Sequence, residues 1–210
     1  MIITIAHSKG GVGKSLLAWH LSIAMGVPIV DLDFQKTLVY VNKLREMHGR
    51  EAINIIHPEN TEAFIGLYDS WTQDKDIIID VGGFDSDLNR TAIYVSDIVI
   101  TPAVDRVTEM AGLYKFHSVL EDISQSVGAK IKTYVLLNDV SPVSREFSVI
   151  KDMITHLGHF DLLESIVAHR ADFYRSMEEG RGVTEGIETK ASNEILALVA
   201  EIKRIGKELE

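Results

Sequence analysis

The run Ser8-Lys9-Gly10-Gly11-Val12-Gly13-Lys14-Ser15 constrains this 210-residue chain more than any other segment. An apolar stretch, Ile2-Ile3-Thr4-Ile5-Ala6, stands directly before it, and a helix-like stretch, Leu16-Leu17-Ala18-Trp19-His20-Leu21, directly after. Strand, glycine loop and helix start follow one another without a gap, which is the setting a phosphate-binding loop requires. Glycines let successive backbone N–H groups turn inward toward phosphate oxygens. The helix N-terminus adds unpaired donors and the positive end of its dipole. In such a loop Lys14 reaches the β- and γ-phosphates and the Ser15 hydroxyl ligates Mg2+. Two details depart from the common pattern: Ser8 stands where a glycine is usual, and a second lysine, Lys9, opens the loop. The loop curls phosphates toward Lys14, so Lys9 is awkward as a ligand of its own subunit and is free to reach a nucleotide in a partner.

The bulk properties suit one domain over residues 1–210: 46% of residues are apolar, and no Pro- or Gly-rich linker, repeat or low-complexity tract divides the chain. The absence of cysteine excludes disulfides, thiolate metal sites, iron–sulfur ligation and a cysteine nucleophile. No signal-peptide pattern and no membrane-length apolar run is present, so the expectation is a cytoplasmic protein. A net charge of −10 argues against a surface coated in basic groups for nucleic acid, while leaving room for a local patch.

Short apolar runs alternate with longer amphipathic ones. Strands are expected at Ile2–Ala6, Pro28–Leu32, Ile53–His57, Ile77–Val81, Ile98–Thr101, Thr133–Leu137 and Ser165–Ala168. Helices are expected at Lys14–Met25, Thr37–His48, Thr61–Thr72, Arg106–Ser126, Ser144–Leu157, Phe173–Glu179 and Ala191–Leu209. Most of the strand runs lack a polar face, as in a parallel sheet covered on both sides. The pattern predicts an α/β, doubly wound, mainly parallel sheet, whose ligands bind at the carboxyl ends of the strands. The glycine loop, Asp31 and Asp33, Asp80 and Asn138 all fall at such ends.

Ile77-Ile78-Ile79-Asp80-Val81-Gly82-Gly83 is an apolar strand ending in an acid, the form of a Walker B element whose carboxylate holds Mg2+, usually through water. Alone it reads equally well as a helix cap. Asp31 and Asp33 lie two residues apart and so on one side of the chain, suited to metal-bound water or to the attacking water.

These motifs resemble the ParA/MinD family of deviant Walker-A ATPases, most of all its small plasmid-partition type. Lys9–Ser15 matches the family's KGGxGK[ST] loop, including its signature lysine. Asp31-Leu32-Asp33-Phe34-Gln35 is similar to its DxDPQ element, and Asp80 to its Walker B acid. Val167–Gly180 resembles its late R-x-x-F segment. The resemblance implies ATP and Mg2+ as ligands, bound by Gly10, Gly11, Val12, Gly13, Lys14, Ser15 and Leu16, with metal contacts from Ser15, Asp31, Asp33 and Asp80. It implies an ATP-sandwich homodimer in which Lys9 crosses to the partner's phosphates, with Lys14 and Asp33 completing the catalytic set. Asn138 would lie near adenine, or it is a strand-end turn residue; no NKxD element is present, which favours ATP over GTP. Phe34 in place of proline and Leu16 in place of a hydroxyl residue depart from the family pattern.

The same resemblance implies slow ATP hydrolysis, stimulated by a cargo-bound ParB- or ParG-like adaptor, that positions plasmid or other DNA cargo. Arg170, Arg175, Lys203, Arg204 and Lys207 are candidates for non-specific DNA contact; each reads equally as solvated surface. The chain starts at the loop's strand, so no operator-reading extension is expected. The tail helix mixes Glu194, Glu201, Glu208 and Glu210 with its basic residues, and so is not expected at a membrane. His156 and His159 lack a third ligand at close spacing, and His7 and His20 read as packed or solvated. Two other readings stay open: an ATP-gated adaptor in conjugation or secretion, and an ATP-dependent small-molecule enzyme on the same fold.

Overall fold

The structure, a computed structural model, describes residues 1–71, 75–144 and 146–209. The expected helix end at Thr72, Arg145 within the expected Ser144–Leu157 helix, and Glu210 lie outside the described residues. The elements run β1 (Ile2–Ile5), α1 (Lys14–Met25), β2 (Ile29–Asp31), α2 (Thr37–Met47), β3 (Ile55–Ile56), α3 (Thr61–Ser70), β4 (Ile77–Asp80), α4 (Asp87–Tyr94), β5 (Ile98–Ala103), α5 (Val107–Val127), β6 (Thr133–Val140), α6 (Ser148–His156), β7 (Phe160–Ala168), α7 (Ala171–Glu178) and α8 (Lys190–Leu209).

One seven-stranded sheet, ordered β3-β2-β4-β1-β5-β6-β7, forms the centre, and each of its ladders is parallel. The apolar runs explain this arrangement directly. Successive strand residues point to opposite faces, so a strand without a polar face needs cover on both. Ile3, Ile5, Ile78, Ile98 and Ile100 point to the side covered by α1, α2, α7 and α8. Ile77, Ile79, Val81 and Val99 point to the other side, covered by α3, α4, α5 and α6. The doubly wound α/β expectation holds.

Three local differences from the sequence reading have physical causes. Helix α4 has only two turns, too short for a helical period to stand out, and its start is set by the Ser86 side chain accepting from the Asn89 N–H. Strand β7 begins five residues earlier than its apolar end suggests. Asp161 and Glu164 break the pattern, but the Glu201 carboxylate on α8 accepts the N–H groups of both Glu164 and Ser165 at 2.8 Å. Helix α6 begins at Ser148 because Ser144 closes a turn, its N–H donating to the Ser141 carbonyl, and the N–H of Ile150 is capped from a distance by Asp105 at 2.9 Å.

A clasp ties α2 to the segment after α7. Arg45 makes two 2.7 Å bonds to the Glu185 carboxylate and donates to the carbonyls of Gly180 and Glu51. Gly180 has φ +64°, and a Cβ there would lie 2.3 Å from the Arg45 nitrogen. Relief would require the backbone itself to move. Gly180→Ala is therefore expected to destabilise the fold by ~3 kcal/mol or more, read as a lower midpoint in urea titrations.

Candidate functional site

The carboxyl ends of β1, β2 and β4 meet at one point. Parallel register pairs Ile5 with Asp80 and Asp31 with Asp80, so the two acids stand side by side on neighbouring strands and on the α1 side of the sheet. The glycine loop, residues 8–13, leaves β1 at this same edge and runs into α1. Gly11 and Gly13 adopt φ +78° and +91°, the left-handed region, which turns the loop sharply into the helix. Gly83 comes so close to the loop that a Cβ would sit 3.1 Å from the Gly10 nitrogen. Gly83 thus presses against the phosphate loop, leaving little room there for a side chain, while a Cβ at Gly82 would meet the Phe84 ring at 2.8 Å.

The charges at this point are largely buried. Lys14 is 6% exposed and its ammonium donates to the Lys9 carbonyl at 3.0 Å, folding back across the loop. Burial lowers its pKa, opposed by the carboxylates of Asp80 and Asp33. Asp80 is fully buried, and neither of its oxygens has a hydrogen-bond partner among the described residues. Burial pushes its pKa up to about 8; the nearby Ser15 hydroxyl and Lys14 charge oppose the shift, while Asp31 and Asp33 add to it. Ser15 is close enough to act on Asp80 but does not meet hydrogen-bond geometry with it. The Asp31 pKa is raised as well, again chiefly by burial. One Asp31 oxygen accepts the Asp33 N–H at 2.9 Å; the other is unbonded, with His57 Nδ1 3.7 Å away. Asp33, half-buried, in turn accepts from the Gln35 N–H.

Orphaned carboxylate oxygens are the feature that fits a divalent cation, since an unpaired buried acid is costly unless something neutralises it. Among the described residues no three acids or histidines converge closely enough to hold a metal alone. Mg2+ takes one or two protein oxygens and completes its shell with phosphate and water.

Other residues serve the loop indirectly. Asn138, at the end of β6, donates to the Val12 carbonyl at 2.8 Å and is 3% exposed. It braces the loop backbone at the rim of a hollow shared with Gly11, Gly13, Leu16, Asp139, Ala168, Arg170 and Tyr174. His7 and Glu109, which the sequence reading left outside the site, lie directly under Lys9. His20 is packed inside, its ring nitrogens on the Phe173 carbonyl and the Val183 N–H.

The late basic residues are not gathered on one surface. Arg170 sits near the loop but is held by Glu194 at 2.6 Å, and Arg204 is ringed by Glu164, Glu201 and Glu208. Lys203 and Lys207 line a hollow at the opposite edge of the sheet, beside Met1, Asp76 and Asp97. Arg175 is exposed on α7. Among the described residues no helix is long and apolar enough to cross a membrane.

A glycine loop between a parallel strand and a helix, with a buried lysine and an unpaired acid at the neighbouring strand end, defines a P-loop nucleotide-binding domain. Residues 3–183 match the CbiA family, the CobQ/CobB/MinD/ParA nucleotide binding domain, and the chain belongs to that family. No curated protein matches the sequence. Three solved structures have similar folds. A Borrelia burgdorferi B31 protein ascribed to plasmid partition, bound to AMPPNP, aligns with a TM-score of 0.70 at 18% identity over 97% of this chain and 98% of that one. The septum site-determining protein MinD of Pyrococcus horikoshii, complexed with Mg-ADP, gives 0.68 at 17% identity over 100% and 98%. Cobyrinic acid a,c-diamide synthase of Mycobacterium smegmatis, with an ATP analogue and magnesium, gives 0.74 at 14% identity over 100% and 96%. At these identities the likeness is one of fold.

Asp80 yields a test of the buried charge. In the fold its carboxyl keeps a proton up to about pH 8, whereas its ordinary value is 3.8. Through this group the folded chain binds more protons than the unfolded chain across that window, so the contribution of Asp80 to stability falls as pH rises through it and levels off above pH 8, against the opposite slope of buried His7 and His20 below pH 6.5. Asp80→Asn is expected to remove this contribution, leaving those of Asp31, His7 and His20. Urea titrations should find the variant and the parent alike near pH 4, and the variant more stable by on the order of a few kcal/mol near pH 8.

Proposed function

We propose that this chain is a dimerising, Mg2+-dependent ATPase that positions DNA or another cargo through a cargo-bound protein partner. The observation that carries the reading is the fully buried, unbonded Asp80 carboxylate beside Ser15 and Lys14. It is a charge arrangement that a divalent cation and a polyphosphate would complete. The solved relatives of similar fold, which carry AMPPNP, Mg-ADP or an ATP analogue with magnesium, support the choice of ligands.

In this reading the N–H groups of Gly10–Ser15 cradle the phosphates, helped by the start of α1, and Leu16 lies against the nucleotide. Lys14 exchanges its bond to the Lys9 carbonyl for the β- and γ-phosphates. Ser15, Asp80 and Asp31 would hold Mg2+, which would supply charge neutralisation at the phosphate oxygens. Asp33 orients the attacking water. Asn138 acts by bracing the loop at Val12, with adenine in the hollow beside it. Lys9, its side chain 43% exposed, crosses to the phosphates of a second subunit. Hydrolysis then works as a timer, because the γ-phosphate ties together loops that relax when it leaves. DNA contact in this reading falls to Arg175, Lys203 and Lys207, since Arg170 and Arg204 are already paired with acids.

The test is self-association measured by light scattering with ATP, ADP or no nucleotide. Asp33→Ala is expected to cut hydrolysis by about a hundredfold and to hold a dimer in ATP but not in ADP. A monomer in all three conditions would sink the sandwich. DNA binding that requires ATP and weakens steeply with salt would support the DNA cargo. Rapid turnover of a small acceptor without any dimer would mark a metabolic enzyme instead.

A further inference from the structure

Lys9 is not free in the folded chain. Its ammonium donates to Glu109 Oε2 at 3.0 Å, and Glu109 lies in the first turn of α5, with its side chain 4% exposed. The contact belongs to a larger seam. Glu109, Gly112 and Phe116 are spaced along one face of α5, and each meets the start of the loop. The Ser8 hydroxyl donates to the Gly112 carbonyl at 2.9 Å, and the His7 ring stacks on Phe116 at 5.9 Å. His7 Nδ1 accepts the Lys9 N–H at 2.9 Å, and its Nε2 faces the other Glu109 oxygen at 3.7 Å. Gly112 makes the seam possible, because a Cβ there would lie 2.9 Å from His7 and 3.4 Å from the Lys9 side chain.

The energetics of this seam are lopsided. Glu109 is buried and its Oε1 has no hydrogen-bond partner, so Lys9 is its main neutralising contact. His7 is no substitute while Lys9 is present: burial, with help from the charges of Lys14 and Lys9, lowers its pKa to about 3 and keeps it neutral. Departure of Lys9 for another subunit therefore costs the buried Glu109 carboxylate its one ion pair shorter than 3.5 Å among the described residues.

We infer that Glu109 is a latch that stores Lys9 in its own subunit and sets the threshold for crossing to a partner, an inference that rests on the sandwich reading above. The acid is a positioning residue: it does not touch the nucleotide but acts on the lysine that does. Only a strongly anionic target, such as the triphosphate of a facing subunit, offers Lys9 more than Glu109 does. A diphosphate offers less, so the latch sharpens the difference between the two nucleotide states.

Two measurements on the full chain test the latch. The first is dimer dissociation in ATP by analytical ultracentrifugation for the parent, Glu109→Gln, Lys9→Ala and the double variant. Glu109→Gln is expected to tighten the ATP dimer by about tenfold or more, the scale of one charge-assisted bond, and to bring some association in ADP. Added to Lys9→Ala, it should change nothing. The second is trace acetylation of Lys9, read by peptide mass spectrometry in the nucleotide-free monomer, where Glu109→Gln should raise reactivity severalfold. Glu109→Asp, which keeps the charge but withdraws it by one methylene, serves if the Gln variant does not fold and is expected to lie between the parent and Gln. Unchanged or weaker association in folded variants, with the parent still dimerising, overturns the latch alone. No ATP dimer in any protein overturns the sandwich reading and the latch with it.

Discussion

The site depends on an electrostatic imbalance at the carboxyl ends of three adjacent strands. Asp80 is completely buried without a hydrogen bond, Asp31 stands beside it half-satisfied, and Lys14 is folded back onto a loop carbonyl. A folded chain tolerates an unpaired buried carboxylate only by protonating it or by neutralising it with a ligand. The surrounding fold is what keeps water from doing that job. Parallel pairing of β1, β2 and β4 fixes the acids side by side, and the apolar layers on both faces remove solvent.

The phosphate loop owes its shape to contacts from distant parts of the chain. Asn138 holds it from β6 at Val12, Gly83 presses on it from the end of β4, and α5 grips its first residues through Glu109, Gly112 and Phe116. Loop, strand-end acids and α5 are therefore joined through one continuous set of contacts. Phe34 and Phe84, both exposed, sit edge to face at 5.8 Å and link the loops that follow Asp33 and Gly83. That contact follows from the substitution of phenylalanine for proline in the Asp31–Gln35 element.

Much of the fold was legible because its signals are local. Seven apolar runs gave seven strands, and the missing polar face gave a sheet covered on both sides. Elements with weak local signals were harder to read: α4 spans only two turns, and the first half of β7 is polar and is held by Glu201 from α8. In the site, Lys14, Ser15, Asp31, Asp33 and Asp80 were readable because glycine spacing and strand-end acids carry their own pattern. His7 and Glu109 were not, since nothing in the sequence around position 109 links it to position 9. Ser8 read as a departure from the common loop; its hydroxyl bond to Gly112 explains it. The late arginines read as DNA contacts or as solvated surface, and Arg170 and Arg204 are engaged by glutamates.

By itself, then, the sequence determined a parallel α/β domain with a phosphate loop at one edge, because glycine conformation, residue periodicity and strand-end acids act over a few residues. Only the tertiary structure decided which charges are desolvated, which cations are already paired, and that Lys9 rests on Glu109. Those outcomes depend on groups a hundred residues apart sharing one dry, low-dielectric space, and solvent exclusion is a property of the packed chain rather than of any segment in it.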